Sequence, residues 1–497
     1  MKHFLFFFCF LTVISCTNTS ENELNFFTLS HSVSPIDGGS ILLSESPPFY
    51  KDSQISITAV PASNYKFSHW TGDLNGTEES QSLLINSDKS FTAQFTPLDD
   101  FASDHIAFYD ASLMDTSGYI FMMENGQNQA YLVNHEGEKL QEWSFESRFG
   151  NDLEITNNGE FLGCFKVEQP YFSFGGFGGH VKKLDLNGNL LWEYVVNTEN
   201  EIAHHDATEL PNGHILIMVW ERITQEELSS VGLTVGHDVF LEKLIEVNPQ
   251  TDEVVWQWRS WEHIVQDVDP AKAAYGLLSE HPNKINIAYN DLENGDWMHA
   301  NGIFYDSSTD VIYMSVNFYS EVWVIDHSTT TQEAATNKGG QFNRGGDLIY
   351  RFGNPITFGG EASTRFLFKN HHPSVVPNSY PGAGNFLIYN NGSNNEQSIA
   401  YELSLPAFSE TSMQNYTAPQ SIWSFTDPNM YFDKISGLVR LPNGNTLICE
   451  GDYGYWEVTT SGQVVWKYDG LGKSFWRGYF YTKTDSRLRS LNLENKN

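Results

Sequence analysis

Three histidines recur at one position of an internal repeat. His205, His299 and His371 each stand six residues ahead of a turn, and these turns open at Pro211, Tyr305 and Pro377. Imidazole has a pKa near 6.5, so within one pH range it can act as neutral nucleophile, base and cationic donor. Three rings meeting in one cavity would suit group transfer through a covalent histidine intermediate, with the neighbouring imidazoles handling a proton and the oxygens of an anion. They would equally suit a divalent metal ion, with Asp206 nearby and one coordination position open. The chain has 16 histidines, so a single one carries little weight and the shared phase is what singles these out. His204 and His372 are offset by one residue and, on a strand, face the other way. His214 and His237 read as surface residues, and His327 as a turn residue.

The elements that must position the trio are strands. Leu210–Ile217 and Leu441–Ile448 each carry Leu-Pro-Asn-Gly followed by an apolar run, and each is succeeded by further alternating runs ending in Val-Val-Trp. Weaker copies open at Asp115, Thr156, Tyr305 and Pro377, giving six units. Asn-Gly between apolar runs signals a tight hairpin. A lone four-stranded sheet cannot bury both faces, so radial stacking is the natural solution. The expected fold is all-β, a six-bladed β-propeller over residues 100–480, followed by a C-terminal tail over 481–497. Equivalent positions of successive blades ring the axis, and in the remaining units that phase lands on Tyr109, Gly150 and Ser436. Cys164 and Cys449 fall in the second and sixth units, with the first unit between them, which argues against a disulfide.

Ahead of the repeats, residues 25–97 read as a small β-module with alternating strands at Ile55–Pro61, Tyr65–Gly72 and Phe91–Phe95. His69 is expected to pack beside Trp70. The series resembles the divergent internalin-type B repeat, which implies a spacer or adhesion role. Residues 1–15 read as a signal peptide, because Lys2 and His3 precede an apolar run from Phe4 to Ile14 that is too short to span a bilayer. Val13-Ile14-Ser15-Cys16 resembles a bacterial lipobox. That resemblance implies a lipid anchor on Cys16, a tether over 16–24 and, with no Asp at position 17, the outer membrane of the cell envelope. The chain carries 28 Lys and Arg against 62 Asp and Glu, a formal charge of -34. Such a surface repels nucleic acid and anionic headgroups, so membrane contact is expected only through the anchor, and any anion site needs local cations. Quaternary state is left open, a homodimer among the options.

Taken together, Ala203–Gly213, Asp296–Ile303 and Phe368–Pro373 resemble the signature of the arylsulfate sulfotransferases, supported by Glu321–Thr329, Gly346–Gly353 and Pro381–Asn385. The resemblance implies transfer from a phenolic sulfate donor to a phenol acceptor by a ping-pong route, with no nucleotide sulfate (PAPS) and no cofactor. By motif, His371 would be the nucleophile that becomes sulfohistidine. His205 and His299 would hold the sulfate oxygens and shuttle the phenolic proton, with His204 behind them at the substrate pocket. The family places an Arg in the strand after the second histidine motif. That position is Asn317 here, which can donate a hydrogen bond but brings no charge. Arg351 or Lys369 is expected to supply the cation, and the departure leaves a changed substrate or lost activity open. Two other readings stand beside this one: a metal-dependent propeller lyase or hydrolase, and a non-catalytic binding propeller at the cell surface.

Overall fold

The computed structural model describes residues 26–62, 65–97, 105–392 and 397–493. The expected signal peptide (1–15), tether (16–24) and lipid-anchor Cys16 lie outside the described residues. Among the described residues no helix is long and apolar enough to cross a membrane. The chain divides into two compact units, Met1–Asp99 and Asp100–Asn497.

The first unit holds two three-stranded sheets. Gly39–Leu43, Gln54–Pro61 and Ser80–Leu84 form one, while Leu29–Ser34, Lys89–Pro97 and Tyr65–Gly72 form the other. Ile55, Ile57, Trp70, Phe91 and Phe95 fill its core. His69 does not pack there. A register slip between Phe67 and His69 brings Phe67 and Trp70 together on the inner side, with Phe91 against Trp70, and leaves His69 exposed with Nδ1 2.9 Å from Ser68 Oγ.

The second unit is a β-propeller built from successive antiparallel four-stranded groups. Their innermost strands are Phe149–Ile155, Glu201–Glu209, Ala300–Asp306, His371–Val375 and Gly437–Arg440, with Phe475–Thr482 as the sixth. Each inner strand touches the next, and Phe475–Thr482 touches both Gly437–Arg440 and Phe149–Ile155, so the ring closes. Middle strands such as Ile215–Ile223 lie between neighbouring sheets and are almost entirely buried, whereas the outer strand Leu190–Val195 is largely exposed. Packed tryptophans and methionines, including Trp256, Trp258, Trp297, Met314 and Trp323, fill the space between two groups. The Leu-Pro-Asn-Gly turn forms as its residues dictate: Gly213 takes φ +83°, which a side chain resists, and the Leu210 amide donates to His214 O at 2.8 Å.

Two expectations change at the closure. The strand before the first turn, Ile106–Tyr109, does not lead its own sheet. It pairs with Val464–Asp469 on the outer edge of the last group, and the first group receives Phe475–Thr482 as its inner strand. The hub position assigned to Tyr109 therefore belongs to a C-terminal residue. Nor is 481–497 a free tail, since the last strand runs to Thr482, a short 3-10 turn covers Ser486–Leu491, and Leu488 and Leu493 are buried in the core. Cys164 and Cys449 are buried and free.

Candidate active site

The inner strands are irregular where they approach the axis. Pairing registers slip between Ala203 and Ala207, between Ala300 and Gly302, and between His371 and Ser374. A bulge bends a strand and re-aims the side chain at the slip. His205 and His299 take φ +51° and +49°, a left-handed backbone that non-glycine residues adopt at some cost. Strand Phe149–Ile155 brings Asn151, the segment just ahead of Gly437–Arg440 brings Ile435, and the closing strand brings Trp476 beside the three histidines. These six residues surround a cavity of about 470 Å³ at one mouth of the hub.

His205 and His299 lie 4.9 Å apart between ring centres, at 85° to one another. Trp476 stands 5.6 Å from His205 and 5.7 Å from His371, so one indole spans both rings. His299 stacks on Phe318 at 4.7 Å. Its Nδ1 lies 2.5 Å from Asp296 Oδ2, and although burial opposes its charge, the Asp296 carboxylate holds its pKa above the ordinary value. The other two rings are neutral. Burial pushes His371 down to about 3 and His205 well below its usual range, with the nearby His299 adding to both. His371 Nδ1 donates to Asn391 Oδ1 at 2.7 Å, with Lys369 O at 3.1 Å. The lone pair is thereby left on Nε2, which accepts a 3.2 Å bond from the Ile435 amide. Neighbouring rings whose surroundings drive their pKa values apart give one cavity both a nucleophile and an acid.

A sequence model of the arylsulfotransferase (ASST) family matches residues 105–474, and one of the divergent InlB B-repeat domain matches residues 29–99. The chain belongs to the arylsulfotransferase family. Over 199 residues it is 25% identical to arylsulfate sulfotransferase AssT of Escherichia coli O6:H1, an alignment covering 37% of this chain and 33% of that protein. The chain thus spans about a third of the length of that relative. A Bacteroides caccae protein of unknown function is similar at TM-score 0.43 and 13% identity, over 73% of this chain and 98% of the other. BamB of Moraxella catarrhalis is similar at TM-score 0.30 and 10% identity, over 83% and 85%.

In this arylsulfotransferase-family chain the expected site residues separate. His205, His299, His371, Asn317 and Lys369 all line the one cavity. His204 does not: it lies fully buried behind His205, stacked on Trp220 at 3.9 Å. Arg351 is a correction. It is fully buried, with Nε 3.1 Å and Nη2 2.5 Å from Glu321 Oε2 and Nη1 2.6 Å from Lys284 O, so its donors are consumed by the frame of its own sheet. The cations at the cavity are lysines. Beside Lys369, Lys166 and Lys434 line it; Lys369 Nζ lies 3.9 Å from Asp433, and among the described residues Lys166 has no carboxylate partner. Sequence reasoning missed Lys166, Lys434 and Trp476. Asp206, considered as a metal ligand, instead accepts from Arg477 at 3.1 Å and from the Ile303 amide at 3.0 Å. Among the described residues no three His, Cys, Asp or Glu side chains are placed to hold a metal ion.

His372, offset from the trio, faces a second axial cavity of about 330 Å³ that it lines with Asp152, Glu154, Asp206, Arg477 and Tyr479. His327 lies in a turn as expected, and His214 is not an independent surface group, because Glu246 lies 2.5 Å from His214 Nδ1 and 2.9 Å from His327 Nε2, tying two neighbouring sheets.

Proposed function

We propose that this chain moves a sulfuryl group from a phenolic sulfate ester to an acceptor phenol, without a nucleotide sulfate, in two displacements through a sulfohistidine at His371. What supports the reading is the pairing, in one cavity, of a neutral imidazole whose Nδ1–H is held by Asn391, leaving its lone pair on Nε2, and a second imidazole whose pKa Asp296 raises. In the first displacement His371 Nε2 attacks sulfur and the donor's phenolic oxygen leaves; in the second the acceptor's oxygen attacks the same sulfur and frees His371. Charge stays on the three sulfuryl oxygens throughout, so positioning and charge stabilisation do most of the work. His299 supplies a cationic donor, and the cavity lysines supply positive charge within a chain of net charge -34. Phe318 and Trp476 offer flat apolar surface to phenol rings.

We further propose that the propeller is six-bladed, that residues 25–97 act as a spacer, and that Cys16 carries a lipid anchor at the outer membrane. The first two readings rest on the sheet groups and the InlB-type match, the third on the sequence alone. The experiment for the activity is incubation with 4-nitrophenyl sulfate, with and without phenol. Coloured product that forms in quantity only when phenol is present, with phenyl sulfate appearing alongside it, supports transfer. Equal turnover without phenol makes the protein a sulfatase, and no turnover removes the reading.

A further inference from the structure

From His205 a line of three buried side chains, His205, His204 and Glu242, leads away from the cavity. His205 Nδ1 lies 2.9 Å from His204 Nδ1, and His204 Nε2 lies 2.9 Å from Glu242 Oε2. Stacking on Trp220, with 4° between the ring planes, fixes the His204 ring. The Ala300 amide donates to Glu242 Oε1 at 2.7 Å and fixes the carboxyl group. All three side chains are within a few per cent of complete burial. His204 Nε2 and Glu242 Oε2 are both buried without a well-aligned hydrogen bond, and a proton passed between them across 2.9 Å would satisfy both. Two facing Nδ1 atoms likewise require one to donate and the other to accept.

These constraints leave two self-consistent states. With the proton on Glu242, its hydroxyl donates to His204 Nε2, His204 Nδ1–H donates to His205 Nδ1, and His205 carries its hydrogen on Nε2. With Glu242 ionised, every bond reverses: His204 Nε2–H donates to the carboxylate, His205 Nδ1–H donates to His204, and His205 Nε2 becomes a bare acceptor. We infer that His204 and Glu242 are positioning residues that switch His205 between proton donor and proton acceptor, and that Glu242 lends the proton that leaves with the first phenol and recovers one from the second.

This inference rests on the proposed sulfuryl transfer and completes its proton balance. When His371 takes the sulfuryl group, His205 Nε2–H protonates the departing phenolate, His204 restores the His205 proton, and Glu242 becomes a carboxylate. When the acceptor phenol attacks, its proton enters at His205 Nε2 and returns to Glu242 by the same path. One proton leaves with one phenol and arrives with the next, so nothing is exchanged with solvent. Burial pushes the Glu242 carboxyl group up to about 8, with Asp296 adding to the rise and His299 and Trp220 opposing it, which suits a resting state that holds the proton.

Two measurements test the relay. The first is the burst of phenol released by enzyme in excess over donor, compared between phenyl sulfate and 4-nitrophenyl sulfate. Glu242→Gln can donate to His204 but cannot give up a proton, and His204→Phe keeps a ring on Trp220 while removing both nitrogens. Each is expected to slow the phenyl sulfate burst by roughly 10²-fold, and the 4-nitrophenyl sulfate burst, whose leaving group needs no proton, by only about threefold. Equal losses on both donors, or none, overturn the inference. The second is the tautomer of His205, read from imidazole 15N shifts between about pH 5 and 10. Wild type is expected to pass from the Nε2–H to the Nδ1–H form as pH rises, and Glu242→Gln to stay in the first. A His205 that keeps one tautomer throughout in wild type overturns the relay whether or not the protein transfers sulfate. Absence of any burst from wild type, with the tautomer change present, removes the sulfotransferase reading and leaves the relay standing.

Discussion

His299 and Asp296 are joined at 2.5 Å between Nδ1 and Oδ2, and that contact raises the pKa of His299 in a trio whose other two rings are pushed down by burial. It also turns the Nε2 edge of His299 towards the cavity, beside Gly175.

The pH dependence should follow from that pair. The pKa of His299 is raised, so its cationic form is complete at low pH and is lost as pH rises through that value. His371 stays neutral down to about 3 and does not limit the acid side. Asp296→Asn removes the raising charge while burial remains. The alkaline limb of kcat/KM for an aryl sulfate is therefore expected to move to lower pH, and a limb that stays in place would mean another group sets it.

Covalent capture should depend on one ring. Enzyme mixed with a 35S-labelled aryl sulfate and no acceptor is expected to retain acid-labile label, and His371→Ala to retain none. His299→Ala should still be labelled, at a rate lower by roughly 10²–10⁴-fold. Label surviving in His371→Ala would move the nucleophile elsewhere.

Arg351 should behave as part of the frame. Arg351→Met strands the buried Glu321 carboxylate, and breaking such a pair costs about 3–5 kcal/mol. Urea denaturation is expected to show that loss, while KM for donor in the protein that remains folded is unchanged. A raised KM would return Arg351 to the substrate.

Repeat and phase carried much of this architecture in one dimension. Leu-Pro-Asn-Gly turns set the hairpins, and a constant step from each turn found three residues that the bulged inner strands deliver to one cavity. The same step failed at Tyr109, because it assumes that each sheet's inner strand precedes its turn, whereas the first sheet borrows Phe475–Thr482 from the far end of the chain. The aromatic run from Phe475 to Tyr481, left over after the sixth unit, was the signal that could have found Trp476. Arg351 misled for a different reason. Charge and a strand-like run are legible in sequence, but the carboxylate that consumes the charge sits one strand away across the sheet, on Glu321. Lys166 was invisible because what singles it out is its place at the cavity wall, a property of three dimensions.

Gly176 is expected to tolerate no side chain. It takes φ +83°, and a methyl group there would overlap the His205 ring. Gly176→Ala should cost about 1–3 kcal/mol from backbone strain and crowding, and lower kcat by displacing His205. A variant with wild-type kcat would show that the loop, rather than the ring, gives way.

Acid should weaken the fold early. His204, His205, His371 and His372 are all held below the pKa of 6.5 they have when unfolded, chiefly by burial. At these four positions the unfolded chain binds protons that the folded one refuses, so the stability these imidazoles contribute is full above about pH 6.5 and is lost as pH drops towards 3. Thermal melts are expected to show Tm falling from about pH 6 downwards, less steeply in His372→Gln. A flat Tm over that interval would contradict neutral buried imidazoles.

Strand Phe475–Thr482 lies against Gly118–Glu124, so the two edges that seal the wheel are separated by nearly the whole length of the propeller sequence. Contacts so remote along the chain form late in folding. Until they do, the space between His205 and His371 has no Trp476 in it, and the imidazoles face water instead of an indole. A chain still emerging from its ribosome, or threaded through a translocation pore, would therefore carry every histidine of the site and still lack the enclosed chamber, which confines any reactivity to protein that has finished folding.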